Sequence, residues 1–531
     1  MSEQKTNTAT EKPVRKDVSN GVKSTLGLTG VTVNAMALIA PGAFLWITYQ
    51  MQAAATSPSG ASVASDIWPG IIFALILAFL TALSYAELAK IYPESGFGSS
   101  YYFAEKAFLD QENEAHHKWA RIAKLLTGWA AHLFYWVYPG VMVAMMAILI
   151  GYIYTQFTGH TLNNTKLTVI AVAFAAATGY IAYRGVTGST LTALVINIIQ
   201  LISLIGFSVA AIIYRLHNPQ HATIWAFTSA WDVVKIHSLQ GVLIQSTLAI
   251  LILVGFESST AFAAEAKNPK RDIPKAVIIS LVIQGLFAYL FEYFSANYMV
   301  SEKLVNTAVN GAVATTVTGL AAAGASSAPM GDMAILIGNS LLGGIGFGLM
   351  ISIAVTVAIA ILGTTLSAMN TAVRVSYAMA QDKEMPALLN SLHGRFATPH
   401  RAIWVLVVVS SLIAAVGVRS VVGLTGITLA SNLGTFVLYG LTCVWTIVAF
   451  SQRKGHSVIK HMIIPALGLM ANLAMLGAIL YLYIIGSSDA KSEAYICFGI
   501  AGMWAAGSAL YVAVNSKCEG RPIIGIQYKQ L

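Results

Sequence analysis

The stretch Leu251-Ile-Leu-Val254-Gly255-Phe256-Glu257-Ser258-Ser259 decides how the rest of the chain is read. It starts inside a long apolar run and then sets a glycine and a carboxylate close together near the middle of that run. A run of about 20 apolar residues is long enough to cross a bilayer. A carboxylate at such depth is costly unless it is paired, hydrated or protonated. Gly255 tolerates dihedrals that a helix does not use. An earlier run carries a break of the same kind, in Ala35-Met-Ala-Leu-Ile-Ala40-Pro41-Gly42-Ala43-Phe44. Pro41 lacks an amide donor and obstructs the carbonyl one turn before it. Taken singly, either break reads as a packing kink, since Pro and Gly are common in membrane helices. Taken together, in the first and sixth apolar runs, they mark matching positions of two halves and point to a midplane binding site between interrupted helices.

Working outward, the 531 residues are 56% hydrophobic and 10% charged, with a mean hydropathy of +0.70. Soluble domains carry about 25% charged residues, so this chain lacks the polar surface of a water-facing globule. Apolar runs predict spans near 28–50, 68–90, 127–155, 167–183, 189–214, 239–264, 275–300, 340–370, 402–418, 425–450, 459–484 and 492–515. With both termini cytoplasmic, 25 of the 31 Lys and Arg fall on the inner side, which is the positive-inside pattern. The net charge of +9 therefore reflects topology and gives no reason to invoke a nucleic acid. On this assignment no Lys or Arg lies inside a span, and Glu87, Glu257 and Glu292 are the acids that do. Glu87 falls near a helix end, whereas Glu257 and Glu292 are deep. The first 23 residues are polar, so the first span itself is expected to direct insertion into the cell inner membrane. Cys443, Cys497 and Cys518 are too few for a disulfide framework. No P-loop and no nucleophile–base cluster is present, which argues against an ATPase or an enzyme. The 301–333 stretch reads as an outer loop with partial helices over the entrance.

Four stretches then resemble the amino acid–polyamine–organocation permeases, over roughly residues 20–520. They are Tyr85-Ala-Glu-Leu88 with Tyr92-Pro93-Glu-Ser-Gly96-Phe-Gly98-Ser-Ser-Tyr101, and Gly255-Phe-Glu-Ser258 through Ala264-Glu265-Ala-Lys-Asn268-Pro269-Lys-Arg-Asp-Ile-Pro274. The others are Arg374-Val-Ser-Tyr377-Ala-Met-Ala380 with Met385-Pro386, and Thr398-Pro399. The second is the most specific. The resemblance implies an all-α polytopic membrane protein with a LeuT-type five-plus-five inverted repeat and about twelve transmembrane helices. Its parts are a tail at 1–27, repeats at 28–214 and 239–450, two accessory helices within 459–515, and a tail at 516–531. It also implies alternating access.

By the same resemblance, Ala40, Pro41, Gly42, Ala43 and Phe44 match a break whose amides receive a substrate carboxylate, although Pro41 removes one amide. Val254, Gly255 and Phe256 match the break whose carbonyls receive an ammonium. Glu257 matches a glutamate that links protonation to transport in cationic amino-acid and polyamine exchangers. Where some relatives have a gating tryptophan this chain has Leu251, leaving Phe256 or Phe44 to close the pocket. A lysine found midway along span 5 in many relatives is replaced by Gln200, with Asn197 one turn earlier. Either the cation site is vacant, or it takes an ion with help from Thr364 and Thr365.

The remaining candidates divide between function and packing. Glu257 either exchanges protons or caps the half-helix that follows it. Glu292 either holds a substrate amine or pairs with a polar neighbour. His132, in an aromatic stretch of span 3, is a proton relay or a hydrogen-bonded packing residue. Glu265, in the loop after span 6, reads as part of an intracellular gate. The expected function is uptake or exchange of an amino acid or related amine, with H+ or Na+ as the open choice of coupling ion and no cofactor. A diamine, polyamine or ethanolamine carrier is the alternative within the class, and a channel-like potassium carrier is the alternative outside it. The expected partners are the small-molecule substrate and the lipid bilayer.

Overall fold

A computed structural model of the chain describes residues 25–524 apart from 40–43, 94–97, 186–189, 219–224, 308–315, 395 and 397. Among these, eleven helices are long and apolar enough to span a membrane. They are span 2 (Ala64–Ile91), span 3 (Glu114–Thr158), span 4 (Asn164–Tyr183), span 5 (Ala193–His217), span 6 (Leu239–Phe262) and span 7 (Pro269–Met299). Span 8 (Gly346–Gln381), span 9 (His400–Gly417), span 10 (Val421–Ser451), span 11 (Ile459–Leu482) and span 12 (Ser488–Glu519) follow. Span 1, expected over 28–50 with a break at Pro41, is described as two half-helices, Leu28–Ile39 and Leu45–Ala54. At 1.5 Å per residue neither half crosses a bilayer alone. The protein is thus an all-α polytopic membrane protein, with eleven candidate spans among the described residues preceded by the two half-helices of span 1.

Helix starts follow from local chemistry. The side chains of Asn163, Ser238, Ser420 and Ser487 accept the free amides of Lys166, Gly241, Gly423 and Ala490 at the heads of spans 4, 6, 10 and 12. Span 3 stops at Gly159, whose φ of +71° ends the helix. Span 6 loses its α-helical ladder after Ala249, passes through a 3-10 turn at Ile250–Ile252 and resumes as 3-10 turns over Phe256–Phe262. Between them Gly255 adopts φ +126°. A Cβ there would stand 2.8 Å from Ile39 Cγ1 and 3.1 Å from the Ile39 amide nitrogen. The two broken helices therefore touch backbone to backbone, and only glycine fits.

Two asparagines repeat one contact in the two halves. Asn197 of span 5 donates to the Val33 carbonyl of span 1 at 3.2 Å, and Asn432 of span 10 donates to the Thr247 carbonyl of span 6 at 2.7 Å. Val33 and Thr247 each lie eight residues before their break residues, Pro41 and Gly255. Span 5 thus holds span 1, and span 10 holds span 6, each by one amide-to-carbonyl bond at the same number of residues before the break.

Several boundaries differ from those read in the sequence. Span 3 was expected to start at 127, but the α-helix starts at Ala120 and takes in Arg121 and Lys124, so cations do lie within the spanning helices. Both are buried because both are paired. Lys124 meets Glu105 and Asp382 at 2.8 Å each. Arg121 meets Glu384 through two bonds of 2.8 and 3.0 Å. Breaking such a pair would strand a buried charge at a cost of about 3–5 kcal/mol. Arg121 also donates to Ser516 and to the carbonyls of Arg521 and Pro522, which fastens the segment after span 12 to span 3. The 301–333 stretch contains a small antiparallel hairpin, β1 (Val305–Thr307) on β2 (Thr316–Thr318), before helices Gly319–Ala325 and Pro329–Leu341. Strands this short leave too little alternation to be seen in sequence. A helix at Ser100–Leu109, after span 2, was not anticipated either.

Replacing Gly255 with Ala forces a side chain into the left-handed region and against Ile39. The expected cost is about 1–3 kcal/mol, read as a lower melting temperature of the detergent-purified protein. An unchanged melting curve would show that the backbone contact is not required.

Candidate functional site

A half-helix that ends inside a membrane leaves its last four carbonyls without amide partners. The first half of span 1 is described to Ile39, and the carbonyls of its last four described residues each accept from a side chain elsewhere. Gln284 of span 7 donates to Met36 at 2.8 Å, and Thr364 of span 8 donates to Ala37 at 3.0 Å. Tyr138 of span 3 donates to Leu38 at 3.2 Å, and Tyr289 of span 7 donates to Ile39 at 3.0 Å. An unsatisfied backbone group in a bilayer costs several kcal/mol, so these four donors are what permits the break.

Beside this end lies Glu257, buried completely. One carboxylate oxygen accepts from Tyr135 of span 3 at 3.0 Å. The other accepts from Tyr439 of span 10 at 2.7 Å and from the Gly255 amide at 2.9 Å. The carboxylate folds back onto the break itself, two residues away, so it stabilises the interruption as well as marking it. Among the described residues no Lys, Arg or His forms an ion pair with it. Phe256 packs in a cage of rings, 5.3 Å from Tyr439 and edge-on to Tyr85 at 6.1 Å. Phe44, at the head of the second half of span 1, is buried with its ring edge-on to Tyr138 at 6.4 Å.

Of the residues singled out in sequence, the structure brings Phe44, Val254, Gly255, Phe256, Glu257 and Thr364 to the two breaks. Ala40, Pro41, Gly42 and Ala43 lie outside the described residues. Thr364, expected beside a cation, gives its hydroxyl proton to Ala37. Thr365 bonds back to Ile361 at 2.6 Å within its own helix. Gln200 is buried, and its side-chain carbonyl has no partner among the described residues. Glu292 is fully buried in span 7, and neither of its oxygens has a hydrogen-bond partner among the described residues. Its helix neighbours Tyr289 and Tyr293 both reach span 1, Tyr293 by a 2.5 Å contact with Thr48. His132 bonds to Ser376 and stacks with Trp136 and Trp504, so its partners are not those of Glu257.

Glu265 pairs with Arg374 at 2.8 Å, and its carbonyl accepts from the Leu26 amide. The Lys267 amide in turn donates to Leu26 at 2.8 Å, so the segment before span 1 is zipped to the loop after span 6. Sequence reading missed Tyr135, Gln284, Tyr289 and Tyr439 as ligands of the breaks. Their signal was polarity at mid-span, which in a membrane helix points inward to a partner.

An amino acid permease family model matches residues 24–506. The chain is 23% identical to the branched-chain amino acid permease BcaP of Bacillus subtilis, over 77% of this chain and 79% of that one. It is 24% identical to the methylthioribose transporter of the same species, over 76% and 77%. It is also 24% identical to the low-affinity putrescine importer PlaP of Escherichia coli, over 43% and 45%. These relatives are transporters, not enzymes. With its broken helices packed on each other and a family match across nearly all its length, this chain belongs to the amino acid permease family.

Proposed function

We propose that the protein is a secondary active transporter that takes up or exchanges an amino acid or a related amine by alternating access across the inner membrane. Both termini then lie in the cytoplasm, and the two repeats run over 28–214 and 239–450, a division that the matched Asn197 and Asn432 contacts support. The observation that carries the reading is the apposition of the breaks, with Gly255 against Ile39 and Glu257 turned back onto the gap. The head of Leu45–Ala54 offers the positive end of a helix dipole, suited to a carboxylate. Glu257 offers negative charge with three donors and no paired cation among the described residues, suited to a substrate ammonium or a proton. The substrate site lies between these two groups. The four carbonyls of Met36–Ile39 already hold side-chain donors, so the ammonium is met by the span-6 side. On the side that bears the termini, the Glu265–Arg374 pair and the Leu26–Lys267 zipper act as the closed gate, and opening separates them.

One observation favours a second reading, a diamine, polyamine or ethanolamine carrier. Glu292 is a second buried carboxylate, and among the described residues it lacks even a neutral hydrogen-bond donor. A substrate with two ammonium groups, such as that named for the E. coli relative, would supply both missing charges.

Purified protein in liposomes should accumulate or exchange a labelled member of a panel of amino acids, diamines and ethanolamine, tested in sodium and in choline. Failure across the panel would overturn the transport reading. Glu257→Gln should remove the pH dependence of net uptake while sparing exchange; an unaltered pH profile would deny Glu257 a proton role. If the substrate is a diamine, Glu292→Gln should raise its half-saturation concentration at least tenfold and leave a monoamine amino acid unaffected. Equal effects on both would assign Glu292 to structure.

A further inference from the structure

Away from the breaks, spans 3, 8 and 12 enclose a cavity of about 430 Å³ near the end of the bundle that carries the termini. That size lies within the range of small-molecule sites. Its walls are largely apolar, with Leu125, Met379, Val512 and Ile523 among them. Leu126 of the lining is 47% exposed, so the cavity reaches the surface of span 3.

Four polar residues line this largely apolar space: Glu384, whose carboxylate is taken up by Arg121, Ser508 of span 12, and Trp129 and His132, one turn apart on the same face of span 3. The state of the histidine follows from its neighbours. Ser376 gives its single hydroxyl proton to the Ala372 carbonyl at 2.8 Å and accepts from the Trp136 indole at 2.9 Å. With that proton on the Ala372 carbonyl, His132 Nε2 donates the 2.8 Å bond to the Ser376 oxygen, and this is the tautomer the proposal adopts. In the neutral ring this leaves Nδ1 as a bare acceptor. Trp136 and Trp504 stack on the ring with centroids 4.4 and 5.0 Å away, so the imidazole meets the cavity by its edge. His132 is 2% exposed, and its Nδ1 has no hydrogen-bond partner among the described residues. The Trp129 indole N–H is likewise buried without an acceptor. The cavity thus presents one unmet acceptor and one unmet donor, on residues one turn apart, in a largely apolar wall. Leaving buried polar groups unpaired is costly, and one hydroxyl answers both needs by donating to His132 and accepting from Trp129.

We propose that this cavity is a binding site for a hydroxyl-bearing amphiphile that enters from the bilayer, its hydroxyl held by His132 Nδ1 and Trp129 Nε1 and its hydrocarbon body along the cleft between spans 3 and 12. The ligand sits apart from the transported substrate. It wedges span 12 and the C-terminal segment against span 3, which makes it a candidate regulator of the same spans that carry Tyr135 and Tyr138.

The test uses the full chain in lipid nanodiscs and two photoreactive probes of equal length, a diazirine-bearing dodecanol and the matching diazirine alkane. After irradiation, peptides spanning 122–132 and 505–512 are analysed for label. The alcohol should label them at least fivefold more than the alkane and be competed by unlabelled dodecanol. Trp129→Phe, which keeps an aromatic ring and loses the N–H, should reduce labelling several-fold, as should His132→Phe. Each variant is first checked for a monodisperse elution profile, and Trp129→Phe alone suffices if His132→Phe does not fold. Equal labelling by alcohol and alkane, or labelling indifferent to Trp129→Phe, would reduce the cavity to a lipid-facing crevice or a water pocket and overturn the proposal. Transport assays do not enter the readout, so its failure leaves the transport reading untouched.

Discussion

Interrupting a helix inside a membrane requires a donor for every carbonyl the interruption exposes. In this protein the requirement is met at Met36, Ala37, Leu38 and Ile39 by Gln284, Thr364, Tyr138 and Tyr289. These donors come from spans 3, 7 and 8, so the broken end of span 1 acts as a hub on which three other helices converge. Gly255 completes it, since only a residue without a side chain lets span 6 lie against Ile39. Phe256 and Glu257 are then directed to the rings and hydroxyls of Tyr85, Tyr135 and Tyr439. The fold is arranged around a gap that water or lipid would otherwise have to fill.

The same rule governs charge. Arg121 and Lys124 lie inside the helical bundle because Glu384, Glu105 and Asp382 are there to meet them. Glu257 has hydrogen bonds but no counter-ion among the described residues, and Glu292 has neither. That gradation, from fully paired ions to an unpartnered carboxylate, separates groups that hold the bundle together from groups suited to something mobile.

The broken helices were legible in the sequence because Pro, Gly and a mid-span Glu violate the otherwise apolar pattern, and the violation occurs twice at corresponding places. The twelve spans were legible for the same reason, through hydropathy and the distribution of Lys and Arg. What satisfies the breaks was not legible. Tyr289 and Gln284 are ordinary polar interruptions of span 7 until span 1 is packed beside them, and Thr364 looked like a cation ligand until Ala37 was seen within its reach. The early start of span 3 was missed because Arg121 and Lys124 read as loop residues. Their partners lie in other parts of the chain, and helix ends cannot report on pairing of that kind.

The capping of span 1 also bears on how the protein is made. Tyr138 emerges from the ribosome about 100 residues after Leu38, but Gln284, Tyr289 and Thr364 follow their carbonyls by 248, 250 and 327 residues. Through most of synthesis, then, the inner end of the first half-helix has to be satisfied by something other than its final partners. The first half of the chain is accordingly not a finished module that waits for the second. Its opening helix reaches its mature hydrogen bonding once spans 7 and 8 arrive, which ties the completion of span 1 to the insertion of those later spans.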